Sequence, residues 1–89
     1  MPTIHLLIKG KVQGVFYRAS AKEMAEQLHI KGWIRNTSEG EVELMATAER
    51  EQLDQFIHWC RQGPSGAKVE DVIVSPRGTE TFSGFVIRR

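Results

Sequence analysis

Gly10-Lys11-Val12-Gln13-Gly14-Val15-Phe16-Tyr17-Arg18 joins two segments of different hydrophobic period. Before it, Ile4, Leu6 and Ile8 alternate with His5, Leu7 and Lys9, the two-residue period of a strand from Thr3 to Lys9. After it, Ala21, Met24, Ala25 and Leu28 recur at i, i+3, i+4 and i+7. That spacing predicts a helix over Arg18 to about His29, with Gly32 as its stop signal. The stretch is therefore a strand-to-helix loop with two glycines. Such a loop can turn its backbone N–H groups inward and form an anion seat at the positive end of the helix. Arg18 falls in or beside the first helical turn, where the helix dipole disfavours a cation; a bound anion reverses that penalty. No Gly-Lys-Ser/Thr follows, so this is not a Walker loop. These residues alone leave two readings open, an anion seat and a plain turn.

Outward from the loop, the chain alternates strands and helices. Trp33 to Asn36 reads as a second strand, Thr37-Ser38-Glu39-Gly40 as a turn, and Glu41 to Ala46 as a returning third strand. In that return Val42, Leu44 and Ala46 share one face, with Glu41, Glu43 and Met45 opposite. Glu49 to Gln62 reads as a second helix with Leu53, Phe56, Ile57 and Cys60 on its apolar stripe, stopped by Gly63-Pro64. Cys60 reads as a small core residue, and Trp59 lies off the stripe with no cover assigned to it. Lys68 to Ser75 is a fourth strand, whose alternation breaks at Asp71 in the manner of a bulge. Phe82 to Arg88 is a fifth, with Phe85 and Ile87 on one face.

Strand, helix, strand, strand, helix, strand, then a short extra strand, predicts an α+β fold of the ferredoxin-like split βαβ type (βαββαβ). One antiparallel sheet is expected to carry both helices on one face, in a single domain over residues 1–89. This fold hosts RNA binders, metal carriers, regulatory modules and enzymes, so it does not name a function.

Composition narrows the choice. Net charge is +1, which supplies no global field for nucleic acid or membrane. The expected central strands, Ile4 to Lys9 and Glu41 to Ala46, hold no aromatic on which bases could stack, and Glu41 and Glu43 repel phosphates. A metal carrier of this fold needs paired cysteines in the first loop, which has none, and no His/Cys cluster has ligand spacing. The three histidines are scattered, and His5 reads as an ordinary sheet residue. Cys60 is the single cysteine, which fits a reducing compartment. Ile4 to Ile8 is too short for a signal peptide or membrane span, so a cytoplasmic location is expected. Asn36-Thr37-Ser38 matches a glycosylation acceptor, discounted without a secretory signal. Asn36 ends its strand, where it either projects at the sheet edge or serves as a turn residue bonding its own backbone.

Two motifs then converge on one family. Ile8-Lys9-Gly10-Lys11-Val12-Gln13-Gly14-Val15-Phe16-Tyr17-Arg18 resembles the first signature of the acylphosphatases. Gly32-Trp33-Ile34-Arg35-Asn36, followed by Gly40-Glu41-Val42, resembles the second. Their order and the chain length extend the resemblance over essentially the whole sequence. The resemblance implies that Arg18 binds phosphate and that Asn36 places the attacking water. It also implies that the loop Gln13, Gly14, Val15, Phe16, Tyr17 and Arg18 supplies backbone N–H donors. Three positions depart mildly from the family pattern. Tyr17 stands where Phe is more usual, Ile34 where a smaller residue is common, and Ala48 where Gly is frequent.

The chemistry agrees with those assignments. A phosphoryl group offers three oxygens, two for a planar guanidinium fork and one for backbone N–H groups. Phosphoryl transfer to water with a carboxylate leaving group needs no strong protein base, in keeping with motifs that hold neither His nor carboxylate. Asn36 cannot deprotonate water, but it can direct it. The expected activity is metal-independent hydrolysis of small acyl phosphates to carboxylate and inorganic phosphate. No cofactor, nucleic-acid or membrane partner is expected, and the chain should act as a monomer. The alternative is a non-catalytic phosphate- or acyl-phosphate-binding module of the same fold, which loss of Arg18 or Asn36 would have favoured. A carbamoyl-phosphate-processing domain of a larger maturation enzyme is disfavoured by the length of 89 residues.

Overall fold

The structure, a computed structural model, describes residues Met1–Arg89. Its elements are β1 (Thr3–Lys11), α1 (Tyr17–Gln27), β2 (Lys31–Asn36), β3 (Val42–Thr47), α2 (Arg50–Gln62), β4 (Lys68–Arg77) and β5 (Phe85–Ile87). They form the expected ferredoxin-like α+β arrangement, with strand order β4-β1-β3-β2-β5. Ile4, Leu6 and Ile8 pair across the strands with Ala46, Leu44 and Val42 and are all buried. Ala21 and Ala25 of α1 and Leu53, Phe56 and Cys60 of α2 close over this face. Burial pushes the Cys60 thiol up to about 12, so it stays protonated and inert. Trp59, off the buried stripe, is covered by the rings of Tyr17 at 5.4 Å and Phe56 at 6.3 Å. Ala48 is buried and takes no left-handed conformation, so a side chain at that position introduces no strain.

Three sequence expectations are corrected. The sheet is mixed, because β5 runs parallel to β2 while every other pair is antiparallel. The chain leaves β4 at one edge and must reach the opposite edge. It does so past the start of β1, where the Glu80 N–H donates to Thr3 Oγ1 and Thr47 Oγ1 donates to the Glu80 carbonyl. A hydroxyl has one proton, so in the 2.7 Å Thr3–Thr47 contact Thr3 is the donor. The fifth strand is also shorter than the pattern suggests, because residues 82–84 still belong to this crossover. Gly32, finally, is not the stop of α1. His29 in the left-handed conformation (φ 58°) ends that helix, and Gly32 lies inside β2. There a Cβ would stand 1.9 Å from the Met45 carbonyl oxygen.

The break in alternation near Asp71 is a bulge. Lys9 pairs with Asp71 and Gly10 with Val69, leaving Glu70 as the extra residue.

On the face away from the helices, Glu43 accepts from His5 at 2.7 Å and from Arg35 at 2.7 Å. Partial burial opposes its ionisation, but these two donors outweigh that and hold its carboxyl below its ordinary 4.5. A depressed carboxylate pKa stabilises the fold fully above 4.5, and that contribution disappears as pH falls through the folded value. Glu43→Gln should therefore be less stable than the parent at neutral pH, with the gap closing below about pH 4.5. Urea midpoints of both proteins across that range check this; a gap independent of pH would count against it.

Candidate active site

The bulge on β4 sits opposite the point where β1 gives way to the loop. Gly10 (φ 125°) permits the approach, since a Cβ there would lie 2.2 Å from the Lys68 carbonyl oxygen. Beyond it the chain turns through Gly14 (φ 74°) and Phe16 (φ 62°, ψ 25°), and α1 begins at Tyr17. Phe16 occupies the N-cap without a capping side chain, and the first turn of α1 carries no acidic residue. Outside the helices and strands, no backbone bond uses an N–H from Gly14 to Ala19; the first there is Ser20 to the Phe16 carbonyl. These donors surround the positive end of α1, the electrostatics of an anion seat.

Arg18 adds a full charge at the same place. Its guanidinium makes none of the ion pairs of the chain, which join His5 and Arg35 to Glu43, Lys9 to Glu41, and Lys22 to Glu26. A cavity of about 310 Å³ opens here, lined by Val12, Gly14, Phe16, Tyr17, Arg18, Ala19, Asn36 and Ile87. The lining contains one cation and no anion.

Asn36 reaches the cavity because it ends β2 beside the β1 end of the sheet. The turn that follows makes its bonds without it. Thr37 N–H donates to the Glu41 carbonyl at 2.9 Å, and Glu41 N–H to Thr37 Oγ1 at 3.1 Å. Gln13 Nε2 donates to the carbonyls of both Thr37 and Glu41, at 2.9 and 2.8 Å, and so ties the loop to that turn. The Asn36 amide is left free: its Oδ1 is buried with no partner in the chain. The alternative of a self-bonding turn asparagine is thus not what the structure contains. A buried acceptor without a partner is costly unless the site supplies one.

Tyr17 fixes where all this begins. Its buried hydroxyl donates to the Cys60 carbonyl at 2.7 Å, in the last turn of α2. Gly63 leaves room for its ring, since a Cβ there would stand 2.9 Å from Tyr17 Cε2. Burial raises the phenol far above its usual range, so Tyr17 is a structural hydrogen-bond donor and not an acid or base. The unusual residue at this position thereby has a physical reason.

Of the residues singled out in the sequence, Gly14, Phe16, Tyr17, Arg18 and Asn36 meet in one cavity. Gln13 and Val15 stand beside it: Gln13 as the tie described, Val15 packed on the core with its Cβ near Gly66. Ile87 was not foreseen at the site. Only its alternation with Phe85 is visible in the sequence, and that does not say which edge the strand joins. No group of three or more His, Cys, Asp or Glu side chains is placed to hold a metal ion.

The ferredoxin-like sheet thus carries a pocket lined by one cation at the start of α1. The chain belongs to the acylphosphatase family, whose model matches residues 4–87. It is 42% identical over its full length to an acylphosphatase of Methylococcus capsulatus, covering 98% of that protein. It is 46% identical over its full length to one from Acaryochloris marina, covering 99% of it. The solved structure of an acylphosphatase from Coxiella burnetii superimposes with a TM-score of 0.95 at 40% identity, over 98% of this chain and 92% of that one.

Tyr17→Phe should lower the unfolding free energy by roughly 1–3 kcal/mol, because the Cys60 carbonyl would stay buried without its donor. Equilibrium urea unfolding measures this; an unchanged midpoint would mean the hydroxyl contributes nothing.

Proposed function

We propose that this chain hydrolyses the carboxyl–phosphate bond of small acyl phosphates in the pocket between the loop and the end of β2, with Arg18 and Asn36 as its catalytic residues. One observation carries the assignment: an arginine without an ion pair and an asparagine amide without a partner line the same cavity at the start of α1. Each is unfavourable in an empty structural loop and is resolved by a phosphoryl group and a water.

On this reading the Arg18 fork takes two phosphoryl oxygens and the N–H groups of the loop take the third. These donors are already oriented, so little reorganisation accompanies the reaction. Asn36 holds a water in line with the scissile bond, opposite the carboxylate leaving group. The new P–O bond forms from that water as the P–O bond to the acyl carbon's oxygen breaks. The electron pair leaves with the carboxylate, and the water's proton passes to a phosphate oxygen. A carboxylate is a good leaving group, so the loose transition state asks for charge stabilisation and not for a strong base. Nor does the chemistry require a divalent cation where a guanidinium and a helix terminus already face the phosphoryl oxygens. The same reading makes the chain a single monomeric domain acting in the cytoplasm on a small molecule, without nucleic-acid or membrane partners. A net charge of +1, a lone buried cysteine, and β1 and β3 free of aromatics support it. No helix is long and apolar enough to cross a membrane.

Phosphate release from acetyl and benzoyl phosphate should proceed undiminished in the presence of a strong chelator. Abolition that a divalent ion restores would overturn the metal-free reading. Arg18→Ala should cost roughly 10³-fold in kcat/KM and weaken inhibition by inorganic phosphate, and Arg18→Lys should not restore the bidentate contact.

Asn36→Ala separates the two roles. It should lower kcat by about 10²–10³ while the inhibition constant for phosphate changes much less. If phosphate inhibition weakens as much as kcat falls, Asn36 is a binding residue and the water-positioning role is wrong.

A further inference from the structure

A second cavity, of about 280 Å³, lies at the far end of the elements that build the first. α1 carries Arg18 at its start and is followed by His29; β2 runs from Lys31 to Asn36; β5 follows Phe82 and ends at Ile87. Arg18, Asn36 and Ile87 line the first cavity, whereas His29, Lys31 and Phe82 line the second, and the two share no residue.

The second lining carries both signs of charge. Lys31 brings an ammonium and Glu80 a carboxylate, and neither takes part in any ion pair of the chain. Two opposite charges that face one cavity without meeting are each left to water or to a ligand. Their backbones are held by one residue. Thr47 is the cross-strand partner of Lys31, and its Oγ1 donates to the Glu80 carbonyl at 3.1 Å. The Glu80 N–H is fixed in turn on Thr3 Oγ1 at 3.0 Å. The two charges therefore project from anchored positions on the sheet and its crossover, not from a free loop.

The rest of the lining suits a small polar ligand. Thr79 and Thr81 flank Glu80, and each hydroxyl can donate and accept. His29 adds a ring nitrogen; it ends α1 in the left-handed conformation (φ 58°), which few residues with a side chain adopt. Met1 and Phe82 are the apolar residues of the wall. The volume stands at the small end of ligand-binding cavities.

We infer that this cavity binds a small zwitterion, an α-amino acid with an apolar side chain. Its ammonium meets Glu80, its carboxylate meets Lys31 and the threonine hydroxyls, and its side chain lies against Phe82. A simple anion brings a charge that Glu80 repels, and a simple cation one that Lys31 repels; a ligand with both charges satisfies both residues at once. The site does not rest on the hydrolytic reading, whose residues line the other cavity.

Amide NMR of isotope-labelled protein titrated with L-leucine tests this. Saturable shifts are expected at His29, Lys31, Thr79, Glu80 and Thr81, and none at Gly14 or Arg18. Isocaproate and isopentylamine keep the apolar chain and one charge each. Both should bind at least about 10-fold more weakly than leucine, because each lacks one charged hydrogen-bonding partner. Lys31→Gln and Glu80→Gln should each weaken leucine by a similar factor. Both side chains are exposed, so the fold should survive, which unchanged amide shifts in the rest of the chain would verify. No saturable shift with leucine, equal affinity for either singly charged analogue, or undiminished leucine binding in both variants would overturn the proposal.

Discussion

The absence of a side chain at Gly10 governs the architecture around the pocket. A carbonyl oxygen of β4 occupies the space in which a Cβ would lie, 2.2 Å away, so β1 and β4 close up and shed one residue of register at Glu70. Bulges bend and twist the strand that carries them. Here the bulged strand is β4, and the bulge lies beside the point where β1 hands over to the loop. The Tyr17 hydroxyl bond to Cys60 and the Gln13 bonds to the β2–β3 turn then fix the loop from two sides. A stiff frame of this kind allows unpaired N–H groups and a guanidinium to be held together with no anion of the chain between them.

At this site a cation and the positive end of a helix lie together. The ion pairs lie elsewhere: Glu43 takes both His5 and Arg35, Lys9 meets Glu41, and Lys22 meets Glu26 one helical turn away. At the start of α1 there is no acidic residue in the first turn, and Arg18 takes part in none of those pairs. Local unfavourable electrostatics offset by a stable scaffold are what a binding site for a dianionic group requires. The structure concentrates that disadvantage in one short segment.

Most of the fold was legible because the apolar periods are strong. Ile4, Leu6 and Ile8 specify a strand, and Ala21, Met24, Ala25 and Leu28 a helix, with little competition from neighbouring residues. What escaped was set by tertiary contacts. Gly32 reads as a helix stop because glycine usually is one, but here close packing against the Met45 carbonyl requires it inside a strand. His29, which does end α1 with a positive φ, gives no comparable signal. The direction of β5 depends on a crossover held by the hydroxyls of Thr3 and Thr47, two residues that look like ordinary strand positions. At the pocket, Arg18 and Asn36 were visible through their motifs, and the cavity brings them together. The tie made by Gln13 through its side chain, and the presence of Ile87, depend on which segments become neighbours, and no local pattern encodes that.

The parallel pairing of β5 with β2 also places the pocket in time. Its walls come from residues 12–19, from Asn36 and from Ile87, so the last wall is translated about 50 residues after Asn36, a delay of several seconds at ordinary elongation rates of roughly 5–20 residues per second. Until then the cavity lacks the side made by Ile87. Contacts this far apart in sequence carry a larger loop-closure cost than local ones. A nascent chain therefore holds the charged loop before it holds the complete cavity.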